Sequence, residues 1–250
     1  MTAPEDPSPA AVGGFRTYVR RRGRLTRGQA RALRDLTDRY LLAPEPDSTL
    51  DPVALFGRAA PLGLEVGFGM GQGLVEWARE QPDWNLLGVE VYQPGIGSAM
   101  LGLERGGFDH VRLLEGPAEW LLGGLLAPQS LDELRIFFPD PWPKKRHHKR
   151  RLVQPALAAL VADRLKPGGL VWVATDWEDY AHWIVEVLDA EPRLRARRPA
   201  RVESARATAA VDRERETLPD LADDRPRTRF EARGLRLGHR VWDLRYERKR

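Results

Sequence analysis

The chain has 250 residues, 42% of them apolar, and carries 40 Lys and Arg against 36 Asp and Glu, a net charge of +4 with a pI near 9.6. That length suits one α/β domain of ordinary size with a substantial core and short appendages. Zero cysteines exclude a disulfide framework, a thiolate nucleophile and a cysteine-bound zinc, and no apolar run approaches the roughly 18 residues that span a bilayer.

Residues 1–14, rich in Pro and Ala, are expected to be disordered, and Met1 to Asp6 lack the cationic start and apolar centre of a secretory signal, so a cytoplasmic location is expected. Residues 15–52 read as a basic arm with a helix. Between residues 7 and 34 there are eight arginines (Arg16, Arg20, Arg21, Arg22, Arg24, Arg27, Arg31, Arg34) and no acid. Arginine outnumbers lysine 35 to 5 in the whole chain, a skew that a GC-rich genome would give without any function. Clustering therefore says more than the total, and clusters of one sign suit an anionic partner. Thr26 is placed to cap a helix running to about Leu42, with Ala30, Leu33 and Leu36 at helical spacing; the Pro-rich stretch 44–52 then precedes the main domain at 53–250.

From Leu62 apolar runs alternate with helical patterns. Strands are predicted near 62–67, 85–91, 110–114, 132–138 and 169–175, and helices near 73–80, 94–105, 117–122, 153–165 and 177–190. Repeated β-then-α order implies a mostly parallel sheet with helices on both faces. Lys166-Pro-Gly-Gly169 reads as a firm stop before the fifth strand. Residues 191–227 have few large apolar groups and read as a surface insertion, after which His239 to Tyr246 alternates like a strand on one face of the sheet. Trp77, Trp84, Trp172 and Trp183 fall in apolar patterns and are read as core.

The first strand runs into Gly67-Phe-Gly-Met-Gly-Gln-Gly73 and then a helix, so the backbone can approach a ligand closely at the carboxyl edge of the sheet. The spacing fits neither the G-x-G-x-x-G dinucleotide fingerprint nor a P-loop. Glu65 sits within this strand, and Glu90 closes the second strand about 20 residues past the glycines, where an acid commonly holds a ribose diol. Together they describe a nucleoside site without a phosphate cradle, suited to a cationic ligand such as S-adenosylmethionine. The plainer alternative is a structural βα turn whose acids are merely exposed.

Past the fourth strand comes Phe138-Pro-Asp-Pro-Trp-Pro-Lys-Lys-Arg-His-His-Lys-Arg-Arg151. Asp140 and Trp142 could meet a base, and Lys144, Lys145, Arg146, Lys149, Arg150 and Arg151 could meet phosphate, with His147 and His148 joining the basic surface. A solvated basic loop is the ordinary explanation of such a run. Pro139, Pro141 and Pro143 favour instead a stiff extended turn. No His-Glu-x-x-His pattern accompanies the five histidines, and no metal site is expected.

Leu64-Glu-Val-Gly-Phe-Gly-Met-Gly71, Gly88-Val-Glu90, Phe138 through Arg151, Ala174-Thr-Asp-Trp177 and Thr228-Arg-Phe-Glu231 together resemble the bacterial tRNA (guanine-N(7)-)-methyltransferase family, in matching order over residues 15–250. The resemblance implies a Rossmann-like class I methyltransferase, a mostly parallel seven-stranded sheet with an antiparallel C-terminal strand. It implies S-adenosyl-L-methionine as donor and the variable-loop guanosine of tRNA, position 46, as acceptor. Carried over by motif, Asp140 is the catalytic residue. Glu65, Gly67, Gly69, Glu90, Ala118 and Asp140 contact the donor, and Lys144, Asp176, Thr228, Arg229, Phe230 and Glu231 contact tRNA or its target base. Pro117 stands where the family usually has an acid for the adenine amino group, so backbone near Ala118 or the Glu119 side chain has to substitute. No obligate protein partner or membrane is implied, and a homodimer stays open.

Two other readings share these residues. Amino-methyltransferases place a D/N-P-P-aromatic motif at the same strand end, although Asp140-Pro-Trp142 lacks its second proline. A non-catalytic RNA-binding protein on a vestigial cofactor fold is the other, against which the retained Glu65, Glu90, Asp140 and loop glycines argue.

Overall fold

The computed structural model describes residues 23–45, 48–197 and 240–250. Among them seven strands, β1 (Leu62–Val66), β2 (Asn85–Glu90), β3 (Val111–Glu115), β4 (Leu131–Phe137), β5 (Leu165–Thr175), β6 (Leu194–Ala196) and β7 (Trp242–Arg248), form one sheet in the order β3-β2-β1-β4-β5-β7-β6. The first five run parallel, and β7 is antiparallel to both of its neighbours. Every residue of β1 is buried, as a central strand covered on both faces requires.

The helices are α1 (Arg27–Asp35), α2 (Thr37–Tyr40), α3 (Pro52–Phe56), α4 (Gln72–Glu80), α5 (Gln93–Gly106), α6 (Ala118–Trp120), α7 (Pro155–Arg164) and α8 (Glu178–Ala190). Leu64, Leu134 and Val171 face α7 and α8 through Leu157, Val161, Ile184 and Leu188. The opposite layer is built from Leu74 and Trp77 of α4 and Ile96, Met100 and Leu103 of α5. Trp77 and Trp172 are buried and Trp84 and Trp183 half-buried, which agrees with reading them as core.

The long arm helix expected from Thr26 to Leu42 is two helices. Thr26 does cap the first, with a capping box to Gln29. At Leu36 the backbone leaves the helical region, and the Thr37 hydroxyl donates to the Leu33 carbonyl at 2.5 Å, a competing bond of the kind that bends helices. The arm then joins the main domain: α1 packs on α5, and the Leu42 N–H donates to the Leu113 carbonyl at 2.8 Å, covering part of the free edge of β3.

Lys166-Pro-Gly-Gly169 does not separate α7 from β5. Leu165 already pairs with Leu131, and the four residues bulge out before pairing resumes at Leu170, with Gly168 at φ +84°. Asp132 anchors this bulge by accepting from Lys166 Nζ at 2.6 Å and from the Leu62 N–H at 2.8 Å. Residues 194–196, assigned from sequence to a surface insertion, are instead the edge strand β6, held by the buried Leu194 and an Arg195–Glu247 ion pair of 2.8 Å. Strand β7 starts at Trp242 rather than His239 and is interior, with Trp242, Asp243 and Leu244 all buried. The helix expected at 117–122 is one turn of α-helix, α6, continued by a π-helical turn over Leu121–Leu125.

Candidate active site

Strand order reverses between β1 and β4, and in sheets of this kind ligands bind at the carboxyl ends beside that point. A cleft of about 470 Å³ opens there, within the range of small-molecule sites. Each parallel strand end except that of β5 contributes to it. Val66, Gly67 and Gly69 come from β1, Glu90 from β2, Ala118 and Glu119 from the turn after β3, and Phe137, Phe138 and Asp140 from β4.

The glycine turn is shaped by two conformational needs. Gly67 and Gly69 have φ of +69° and +55°, and a Cβ added at either would meet nothing within 4 Å, because both face open space. Behind the turn the opposite holds: a Cβ on Gly95 would stand 2.1 Å from the Gly69 carbonyl oxygen, so α5 can support the loop only through a glycine.

Glu90 holds this loop in place. Its Oε2 accepts from the Gly69 N–H at 2.9 Å, and its Oε1 accepts from Val91 and Tyr92 N–H at 2.7 and 3.1 Å. Burial raises its pKa; the three N–H groups pull it back, and the nearby Asp140 charge raises it again. Three bonds leave a carboxylate capacity for a further donor such as a ribose hydroxyl.

Glu65 does not line the cleft. Its carboxyl is 4% exposed beneath the glycine turn, at the amino end of α4, where a Cβ on Gly73 would sit 3.0 Å from Oε1. Oε2 has no hydrogen-bond partner among the described residues. Arg135, its neighbour across the β1–β4 pairing, favours the ionised form, but burial outweighs it and pushes the pKa from 4.5 to about 7. Folding thus favours the protonated acid. Stability from this group is present below pH 4.5 and is lost as pH rises through 7, by roughly 3 kcal/mol in total. Glu65→Gln, which imitates the neutral acid, should flatten that decline. Melting temperatures at pH 4.5 and pH 8 test it; parallel curves for the two proteins would show that Glu65 ionises in the fold at no cost.

Asp140 stands at the cleft between two non-glycine residues in the left-handed region, Phe138 at φ 52° and Trp142 at φ 45°. Each such residue costs about 1–3 kcal/mol and persists only where its surroundings hold it. Phe138 is held by its N–H, which donates to the Ala174 carbonyl at 2.8 Å. The stiff extended turn expected here is not extended throughout: Phe138 and Trp142, each preceding a proline, are left-handed, and Lys145–Arg150 winds into a 3-10 helix. That winding takes Trp142 away from the cleft. Its ring lies edge-on to His147 at 5.9 Å and beneath the Arg150 guanidinium at 5.2 Å, so it supports the basic turn, while Phe138 lines the cleft together with Phe137 and Tyr92.

Lys144, Lys145, Arg146, Lys149 and Arg150 are exposed on this turn. Lost hydration in the crowded turn and then the four cations around it lower the His147 pKa, so the positive charge comes from lysine and arginine. Arg151, expected among the phosphate contacts, is buried instead, paired with Asp179 of α8. Nothing in a run of like charges distinguishes its last member, and only the fold brings Asp179 to it.

Lys144 and Asp176 lie outside the cleft on the same sheet edge, Lys144 just before the 3-10 turn and Asp176 just past β5. Thr228, Arg229, Phe230 and Glu231 lie outside the described residues. Sequence reasoning missed Met70, Tyr92 and Leu152, which also line the cleft. Only Met70, flanked by the loop glycines, had a local signal. Among the described residues no three metal-ligating side chains come together, and no helix is long and apolar enough to cross a membrane.

An acid at the β2 end, an open glycine turn, apolar walls from Val66, Val89 and Phe137, and Asp140 opposite form a donor set that fits an adenosine bearing a positive charge. At Pro117 no side chain can accept from an adenine amino group, and the adjoining Ala118 and Glu119 line the cleft.

A family model described as "Putative methyltransferase" matches residues 59–244. A protein of Acidovorax sp. (strain JS42) named tRNA (guanine-N(7)-)-methyltransferase is 45% identical over 97% of this chain and 94% of its own length. Proteins of the same name from Thiobacillus denitrificans and Halorhodospira halophila are 47% and 46% identical, covering 94% and 92% of this chain and 96% and 94% of their own.

Proposed function

This chain belongs to the tRNA (guanine-N(7)-)-methyltransferase family, and from that membership we infer that its cleft serves methyl transfer from S-adenosyl-L-methionine to N(7) of a tRNA guanosine. The finer reading is the variable-loop guanosine at position 46, modified in the cytoplasm. The observation that carries the reading is the meeting of Glu90 and Asp140 in one cleft at the switch point, with an exposed cationic turn beginning four residues beyond Asp140.

When bound, the donor supplies an electrophilic methyl on a sulfonium. Guanine N(7) has an exposed lone pair and no proton, so no residue of this chain has to act as a general base before attack. Its residues therefore orient and stabilise. Gly67, Gly69 and Glu90 would hold the ribose and methionine parts, Ala118 and Glu119 the adenine edge, and Glu65 would support the glycine turn from beneath. Asp140 would orient the guanine through its amino edge or stabilise the positive charge that N(7) methylation leaves on the base. Phe138 would face the base, which a folded tRNA must release from its tertiary contacts. Lys144 and Asp176, with Thr228 to Glu231, would engage the tRNA, and the exposed cations of the turn would hold phosphates.

The test is methyl transfer from labelled donor to an unmodified tRNA transcript, followed by nucleoside analysis. N(7)-methylguanosine cleavable at position 46 by borohydride and aniline is the expected product. Methyl groups on exocyclic amines would support the amino-methyltransferase alternative, and unlabelled tRNA would reject catalysis on this substrate.

A further inference from the structure

The loop that carries Asp140 is short of backbone donors. Pro139, Pro141 and Pro143 have no N–H, so three of its positions offer only carbonyls to an anchoring bond. Phe138 and Trp142, on either side of Asp140, are left-handed without being glycine. On the upstream side the Phe138 N–H is tied to Ala174.

Arg151 supplies an anchor downstream. It closes a run of cations yet is 1% exposed, so it cannot reach a phosphate. Its Nε donates to the Pro141 carbonyl at 2.9 Å, one residue past Asp140. Its Nη2 donates to Asp179 in the first turn of α8 and lies 3.1 Å from His148 Nε2. The guanidinium packs over the Tyr180 ring at 4.9 Å, and the Tyr180 hydroxyl accepts from the Val153 N–H at 3.1 Å. One planar group thus joins the peptide beside Asp140, the basic turn and the first turn of α8, which begins two residues past Asp176.

We propose that Arg151 is a positioning residue for methyl transfer: by tying the Pro141 carbonyl to Asp179 it sets the Asp140 loop against the reaction site and in register with Asp176. The inference rests on the catalytic reading of Asp140. A rigid fork serves the two partners at once, whereas an ammonium on a flexible stem matches that geometry poorly. Displacing a catalytic group by about 1 Å can cost on the order of 100-fold in rate.

The test uses the full-length protein with Arg151→Lys and Asp179→Asn, each followed by single-turnover methyl transfer at saturating donor and tRNA, well below the melting temperature. Donor and tRNA affinities are measured alongside. Arg151→Lys should lose roughly 30- to 100-fold in rate, with both affinities within about threefold of wild type, a split that a merely structural role would not produce. A folded Arg151→Lys protein with a rate within threefold of wild type overturns the proposal. If that variant does not fold, Asp179→Asn decides, because Asp179 is exposed and the amide replaces a charge-assisted bond by a weaker neutral one that loosens the strut: a fall of about fivefold or more at unchanged affinities supports the role, and an unchanged rate overturns it. Failure of the wild type to form N(7)-methylguanosine in the same assay would count against the functional reading itself.

Discussion

Asp140→Ala should lower the single-turnover rate by about 10²- to 10³-fold while donor affinity changes by less than about tenfold, the scale seen when one preorganised electrostatic contact to a transition state is removed. The asymmetry follows from the site. Gly67, Gly69 and Glu90 are organised by bonds that do not involve Asp140, so the donor side of the cleft should survive the substitution. Asp140 is itself a donor contact by the family resemblance, and its charge lies near enough to Glu90 to raise the Glu90 pKa, so donor affinity should fall modestly and not vanish. Asp140→Asn separates the two roles left open above. An amide that preserves most of the rate would favour hydrogen bonding to the guanine edge, whereas a loss equal to that of alanine would favour charge stabilisation. An unchanged rate in Asp140→Ala would reject the catalytic assignment.

Replacing Lys145, Arg146 and Lys149 together by glutamine should weaken tRNA binding on the order of 100-fold at 0.1 M salt and lower the slope of log affinity against log salt by about 2 to 3, because each lost phosphate contact removes about 0.7 to 0.9 from it. All three are exposed on the 3-10 turn, so neither donor affinity nor melting temperature should change appreciably. A triple variant with the wild-type salt slope would show that the turn does not meet phosphate. Deleting residues 1–34 is a poorer test of the basic arm than its charge suggests. It would remove α1, whose Gln29 and Ala32 are buried, and Gly97 of α5 packs so tightly on this helix that a Cβ there would lie 2.9 Å from the Gln29 carbonyl oxygen.

The parallel sheet, the glycine turn and the acid closing β2 were legible because each rests on local order. Apolar runs that alternate with helical periods specify βαβ units, and positive φ at a strand-to-helix turn requires glycine. The family motif from Phe138 to Arg151 was legible as composition. What each of its members does was not: Trp142 supports the basic turn, Phe138 lines the cleft and Arg151 is a buried strut. Their division of labour depends on a 3-10 winding and a left-handed step that neighbouring residues do not announce.

The same contrast runs through the whole chain. Residue order alone determined that β1, β2 and β4 end in a glycine turn, a glutamate and an acid-aromatic-basic motif, since these are properties of short segments. That the three ends converge on one cleft was decided by the reversal of strand order between β1 and β4. Tertiary structure likewise decided that Glu65 sits beneath the cleft with its proton favoured, and that Arg151 turns inward to Asp179, 28 positions away. Burial and the partner across a sheet or helix set the ionisation and orientation of a charged side chain, and both arise only when distant segments meet.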